Sequence, residues 1–397
     1  MKKFVFPSLI IILMILSLFS GYLVSKILNN NYETASTDEI DINGTNVNNS
    51  KSVSNEIDNS GKMTKEKAED ILKNMTLEEK VGQMFLVRCI SNTAIRDIEN
   101  YHIGGFILFD SNIVNQTKES LTSTIQNYQS LSKTPLLIAI DEEGGIVNRL
   151  SWYSEFRSVP FYSPQELYNE GGYPLIISDT KEKAELLKSI GINVNLAPVA
   201  DISTNPYDFI YERTFGKDIK ETSKYIETVI STMKEMNMGS TLKHFPGYGS
   251  NLDTHTGFSI DERSYESFKS SDFIPFEAGI KAGADSILVS HNIVKSIDEN
   301  LPASLSPNIN KIIRNDLDFN KVIMTDDLQM DAIKEYIGDN TSAILAIKAG
   351  NDLLISSDFD VQIPSVLEAL RNGEIDESRL DESVLRILYW KINLGLL

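Results

Sequence analysis

Short apolar runs recur along the chain at Gln83–Val87, Gly105–Phe109, Leu136–Ile140, Val194–Pro198, Ser240–Leu242, Ser286–Ser290, Val322–Thr325 and Asp352–Ile355. Helical spacing of apolar positions fills the stretches Thr117–Ser132, Lys181–Ile190, Lys220–Met236, Tyr265–Ala282, Ser306–Asp316 and Met330–Ala349, each ending near a glycine or a polar turn. Strand-like runs that alternate with helices over most of the chain predict an α/β fold, a (β/α)8 TIM-type barrel forming one domain over 63–397. A doubly wound open sheet is the alternative. No G-x-G-x-x-G follows the first run, which argues against a dinucleotide site of the Rossmann type.

The amino-terminal part departs from this pattern. Phe4 to Ser25 carries no charge and is long enough to cross a bilayer as one helix, with Lys2 and Lys3 ahead of it to hold the amino terminus inside. Residues 1–28 therefore read as a signal-anchor or a signal peptide. Ser20-Gly21-Tyr22 matches a small-residue cleavage pattern poorly and no cysteine follows for lipid attachment, so the uncleaved anchor is the favoured form. Either form puts the rest of the chain outside the cytoplasm, anchored at the outer face or secreted. Residues 29–62, rich in Asn, Ser, Thr and Asp, read as a disordered polar tether.

Composition narrows the function classes. A chain of 397 residues at 41% hydrophobic can bury a sizeable core, and its net charge of -19 argues against nucleic acid and against charge-driven docking on an anionic membrane. Membrane contact is expected through the amino-terminal segment only. Cys89 is the one cysteine, so an intramolecular disulfide and a thiolate metal cluster are both excluded; its apolar surroundings make it a small core residue.

A barrel gathers its active-site groups at the carboxyl ends of its strands. Asp141 follows the third run, Asp201 lies just past the fourth, Lys243 and His244 end the fifth, His291 ends the sixth, and Asp326 with Asp327 ends the seventh. Any of these aspartates could instead cap a helix, and Asp327, ahead of LQMDAIKEYI, reads as such a cap. Residues 242 to 255, LKHFPGYGSNLDTH, hold two of the four histidines. Asp253 and His255 stand one residue apart, close enough for the carboxylate to fix the imidazole tautomer and raise its basicity. Three readings stay open here: an acid/base pair, a loop held by an Asp–His hydrogen bond, and a metal site using His244, His255 and Asp253.

Taken in order, the segments MTLEEKVGQMF, IGGFILF, IAIDEEGGIVNRL, NVNLAPVADI, ERTFGKD, KHFPGYGS with DTH, ILVSH and VIMTDDLQM resemble glycoside hydrolase family 3, specifically its NagZ-like β-N-acetylglucosaminidases. The resemblance runs from about Met75 to Leu397. It implies a retaining exo-β-N-acetylglucosaminidase of the β-N-acetylhexosaminidase type that acts on peptidoglycan fragments or related glycans through a covalent glycosyl-enzyme. Asp326 would be the nucleophile and His255, supported by Asp253, the general acid/base. Asp141, Arg213, Lys243 and His244 would grip the sugar hydroxyls and N-acetyl group, with Arg149 added to that shell. No cofactor or metal is implied, and a monomer is expected. Alternatives are a β-glucosidase or β-xylosidase of the same family, or a non-catalytic wall-glycan-binding protein. The chain departs from the family pattern at Tyr248, where histidine is usual, at Ile146, where arginine is usual, and after His255, where Gly257-Phe258-Ser259 replaces a proline.

Overall fold

The structure, a computed structural model, describes residues 64–251, 259–330, 333 and 341–397. The anchor at 1–28 and the tether at 29–62 lie outside the described residues, as do Asp253 and His255.

Each apolar run forms a strand: β1 (Phe85–Arg88), β2 (Gly105–Leu108), β3 (Leu137–Ile140), β4 (Val194–Asn195), β5 (Gly239–Phe245), β7 (Ser286–Val289), β9 (Val322–Thr325) and β10 (Leu354–Ser356). Two short strands, β6 (Ile260–Asp261) and β8 (Ile293–Val294), pair with each other apart from the main sheet. The eight main strands run parallel in the order β10-β1-β2-β3-β4-β5-β7-β9. The ends of that order meet, because a parallel bridge joins Met324 to Leu353 and the Thr325 N–H donates to the Leu353 carbonyl at 3.1 Å. The first and last strands are neighbours, Phe85 opposite Leu354, which an open doubly wound sheet does not allow. The fold is therefore a (β/α)8 barrel. Parallel strands flanked by helices are buried on both faces, which is why the sequence shows continuous apolar runs rather than alternation.

The differences from expectation have local causes. β5 extends past Leu242 to Phe245 because Lys243 and His244, polar in sequence, are buried as strand residues. The helical stretch that holds Lys181–Ile190 starts at Pro164, with Ser163 and Glu166 forming a reciprocal cap. Gly172 (φ 61°, ψ -154°) is non-helical and divides this stretch ahead of Pro174, so the helix that contains Lys181–Ile190 is the second of two that follow one another across a sharp kink. The stretch Tyr265–Ala282 is two helices, Tyr265–Ser270 and Phe273–Ala282, split where Ser271 leaves the helical region (φ -135°, ψ -83°); the next residue, Asp272, receives Arg263 at 2.9 Å. Ser306–Asp316 becomes Pro307–Lys311 followed by a π-helical turn, Ile312–Asp316. Of Met330–Ala349, the described helix is Ser342–Ala349, and Met330 lies in a turn.

At the end of the barrel away from the strand carboxyl ends, Asp352 gathers the chain's last elements. Buried completely, its carboxylate accepts the Ile323 amide at 3.0 Å and pairs with Arg386 at 3.0 Å, with Arg379 at 3.6 Å and with Arg314. Lys391, also fully buried, donates to the Gln83 side-chain oxygen at 2.6 Å just before β1. Cys89 is buried, and burial pushes its thiol up to about 12, so it is an inert core residue. Among the described residues, no helix is long and apolar enough to cross a membrane.

Candidate active site

A cavity of about 330 Å³ opens at the carboxyl ends of the strands, and all eight barrel strands contribute to it. Arg88 comes from β1, Ile107 from β2, Leu288 from β7 and Ile355 from β10, while Asp141, Leu196 and Asp326 follow β3, β4 and β9. Lys243 and His244 come from β5, where the register against β7 shifts between Leu242 and Phe245. These two neighbours both line the cavity. The six predicted residues that are described, Asp141, Arg149, Arg213, Lys243, His244 and Asp326, thus meet in one place. Asp253 and His255 belong to the loop that follows β5 and lie outside the described residues.

The electrostatic centre of the cavity is a residue the sequence analysis passed over. Glu143 receives Arg213 through two bonds, Nε to Oε2 at 3.0 Å and a terminal nitrogen to Oε1 at 2.7 Å, and also receives the Lys243 ammonium at 2.7 Å. The same ammonium donates to Asp141 at 2.7 Å. Burial would raise the Glu143 carboxyl, but Arg213 and Lys243 outweigh it and hold it far below the usual carboxylate range. Burial would likewise lower Lys243, yet Asp141 and Glu143 raise it above its ordinary value. Both groups stay ionised in the wall of the cavity. The signal was the doubled acid of DEEGG. Of the pair, Glu142 turns away and accepts the backbone amides of Arg149, Leu150 and Ser151 at 2.8, 2.8 and 3.1 Å, so one carboxylate serves the pocket and the other serves the loop that carries Arg149.

The two glycines of that motif are required by close approach. Gly144 (φ 102°) and Gly145 (φ 63°) make a tight turn against Tyr162 and Ser163, and a Cβ on Gly144 would lie 2.2 Å from the Tyr162 carbonyl oxygen. The turn is pinned by the Gly145 amide and the Asn148 side chain, both donating to the Phe161 carbonyl.

His244 is held on both sides. Its Nε2 lies 3.1 Å from an Arg213 nitrogen, which can only donate, so Nε2 accepts and Nδ1 carries the proton toward Asp201 at 2.7 Å. Burial pushes Asp201 up, but His244 and the amides of His244 and Tyr248 hold it low. Asp201 is a positioning residue for His244. Tyr248 is buried and sets its ring edge-on to His244 at 5.1 Å and to Phe209 at 5.0 Å. Ile146 is 53% exposed on the outer side of its turn, and its neighbour Val147 lines the cavity.

Among the cations, Arg88 stands over the Phe109 ring at 4.6 Å, and the Arg149 Nε has no hydrogen-bond partner among the described residues. Asp326 is half-buried at the β9 exit, where its own amide donates to the Val289 carbonyl and its Oδ1 accepts the Asp327 amide at 2.9 Å. The Asp327 Oδ1 accepts the Gln329 amide at 3.0 Å, and most of the helix it is expected to cap lies outside the described residues. That carboxylate also ties down the loop after β10, accepting the Ser357 amide at 3.1 Å and hydroxyl at 2.5 Å. His291 serves the frame, with its ring nitrogens 2.7 Å from the Ser304 hydroxyl and 2.9 Å from the Asp327 carbonyl. Among the described residues no cluster of three His, Cys, Asp or Glu could hold a metal, and both His244 nitrogens already have protein partners.

A ring of parallel strands that all deliver side chains to one polar cavity is the architecture of a barrel enzyme. The chain belongs to glycosyl hydrolase family 3: the model for the "Glycosyl hydrolase family 3 N terminal domain" matches residues 76–389. It is 33% identical over 271 residues to a beta-hexosaminidase of Idiomarina loihiensis, covering 67% of this chain and 80% of that one. Beta-hexosaminidase A of Pseudoalteromonas piscicida is 29% identical over 325 residues, which is 75% of this chain and 54% of the relative. A glycoside hydrolase family 3 beta-N-acetylglucosaminidase from Paenibacillus sp. superposes with a TM-score of 0.76 at 28% identity, covering 81% of this chain and 63% of that structure. The chain thus spans little more than half of the Pseudoalteromonas relative and under two thirds of the Paenibacillus chain.

Proposed function

We propose that the protein is a retaining exo-β-N-acetylglucosaminidase that removes terminal β-linked N-acetylglucosamine from cell-wall fragments or related glycans. The observation that carries this reading is the cavity itself: one half-buried carboxylate, Asp326, faces a wall in which Asp141, Glu143, Arg213 and Lys243 are locked into a charge-balanced network. Groups fixed in this way present oxygens and N–H donors in set directions, as recognition of a sugar ring's hydroxyls requires. The family membership and the named activities of the relatives point the same way.

In the first step the Asp326 carboxylate bonds to the anomeric carbon as the bond to the leaving oxygen breaks, and His255 gives its proton to that oxygen. In the second, His255 takes a proton from water, the water oxygen bonds to the anomeric carbon, and Asp326 is released. Asp253 orients and charges the imidazole. The charge-free segment Phe4–Ser25 holds the barrel at the outer face of the cell membrane.

The test is a panel of aryl β-glycosides, with the N-acetylglucosaminide turned over in preference to the glucoside and xyloside. A slow 2-deoxy-2-fluoro or 5-fluoro donor should label the peptide Met324 to Met330, and Asp326→Ala should abolish turnover with the fold intact. Labelling elsewhere, an inverted anomer in the product, or preference for the glucoside would overturn the reading.

A further inference from the structure

Beside the cavity lies a larger hollow of about 590 Å³, and the linings of the two meet in two turns. In the turn after β3, Gly145 and Ile146 face the hollow and Val147 faces the cavity; in the turn before the helix Ile219–Glu235, Tyr211 and Glu212 face the hollow and Arg213 the cavity. Four large apolar side chains line this hollow while remaining substantially exposed: Ile146, Trp152, Val159 and Tyr162. A concave exposed apolar patch rimmed by polar groups marks a binding site rather than ordinary surface. Trp152 is 54% exposed and Tyr162 43%, so both rings are free to take a flat apolar face, and Asn169 and Glu212 supply hydrogen-bonding groups at the rim.

We propose that this hollow is a second saccharide subsite, in which Trp152 and Tyr162 stack against a sugar of the same glycan whose terminal residue occupies the cavity. The chemistry fits a pyranose, whose C–H faces pack on aromatic rings while its equatorial hydroxyls reach groups such as Glu212 and Asn169. Continuity selects the occupant: a chain that leaves the cavity over either shared turn enters this hollow. The inference rests on the glycosidase reading, which supplies the sugar in the cavity, and it adds a preference for chains over single residues.

The chain has two tryptophans, Trp152 here and Trp390, 3% exposed in the core, so emission that responds to added saccharide reports on Trp152. In the full chain carrying Asp326→Ala to stop turnover, chitotetraose should shift or quench the emission, and Trp152→Phe should remove the response. With the catalytic residues intact, Trp152→Ala should lower kcat/KM for chitotetraose by about tenfold and leave the aryl N-acetylglucosaminide within about twofold. Trp152→Phe should keep most of the tetrasaccharide rate. Equal losses on both substrates, no loss on either, or an unresponsive emission would overturn the subsite. A change in self-association with unchanged tetrasaccharide kinetics would also overturn it, making the patch an interface between copies. If the aryl substrate is not hydrolysed at all, the glycosidase reading fails, and the emission experiment still decides the subsite.

Discussion

Lys391 is a full-length cation sealed in the barrel's floor with one neutral partner, the Gln83 amide oxygen. Burial lowers its ammonium to about 7. The unfolded chain keeps this proton to near 10.5 whereas the folded chain gives it up near 7, so between those values the unfolded state binds more protons and stability rises with pH. The stability gained above the upper value is lost as pH falls toward 7. Lys391→Met should therefore change Tm relative to the wild type in a pH-dependent way, its advantage shrinking from pH 7 to pH 9, as calorimetry would record; a constant difference would mean the ammonium is not desolvated. The acid/base role makes a different demand. His255→Ala should cost about 10²–10⁴-fold on substrates with poor leaving groups. On an activated aryl substrate KM should fall with kcat, and azide should restore part of the rate. Equal damage to both substrates without azide rescue would point to a structural histidine. At this scale the sequence marked residues that end a strand, because position along the run foretells which end of the barrel they occupy. Glu143 escaped that rule: it lies two residues beyond Asp141, on a turn, and its ties to Arg213 and Lys243 bridge residues distant in sequence.

The strands were legible because burial on both faces leaves an uninterrupted apolar word between polar turns. Helices were less so, since the helical turns ahead of Gly172 carry no regular apolar spacing, and Ser271, with φ -135° and ψ -83°, divides Tyr265–Ala282 into two helices. Close packing between neighbouring strands is hidden in sequence altogether. Gly105 opens β2 opposite Leu137 of β3, and a Cβ there would fall 2.2 Å from the Leu137 carbonyl oxygen, a backbone atom. Gly105→Ala should destabilise the barrel by about 3 kcal/mol or prevent its accumulation, whereas Gly373→Ala, where no atom lies within 4 Å, should cost only the strain of its positive φ. Urea unfolding of the two variants would compare them; equal small losses would mean β2 and β3 can part to admit a methyl group.

The whole chain divides in sequence at about residue 63, where polar tether gives way to periodic apolar pattern. A chain that begins at Met63 should dissolve without detergent and keep the specific activity of the full protein, because the barrel's strands, cavity and floor all fall after that point. Loss of activity on trimming would show that the first residues complete the site. Closure of the ring is also a property of the whole, carried by β1 against β10 and by Asp352 holding the last helix beneath them. The seam therefore joins the first strand of the ring to be made with the last. While the chain is being made, β1 waits with a bare edge, and nothing synthesised before β10 can satisfy it. Ring formation is thus held until β10 has been made, and the seven earlier strands can assemble only as an unjoined ribbon.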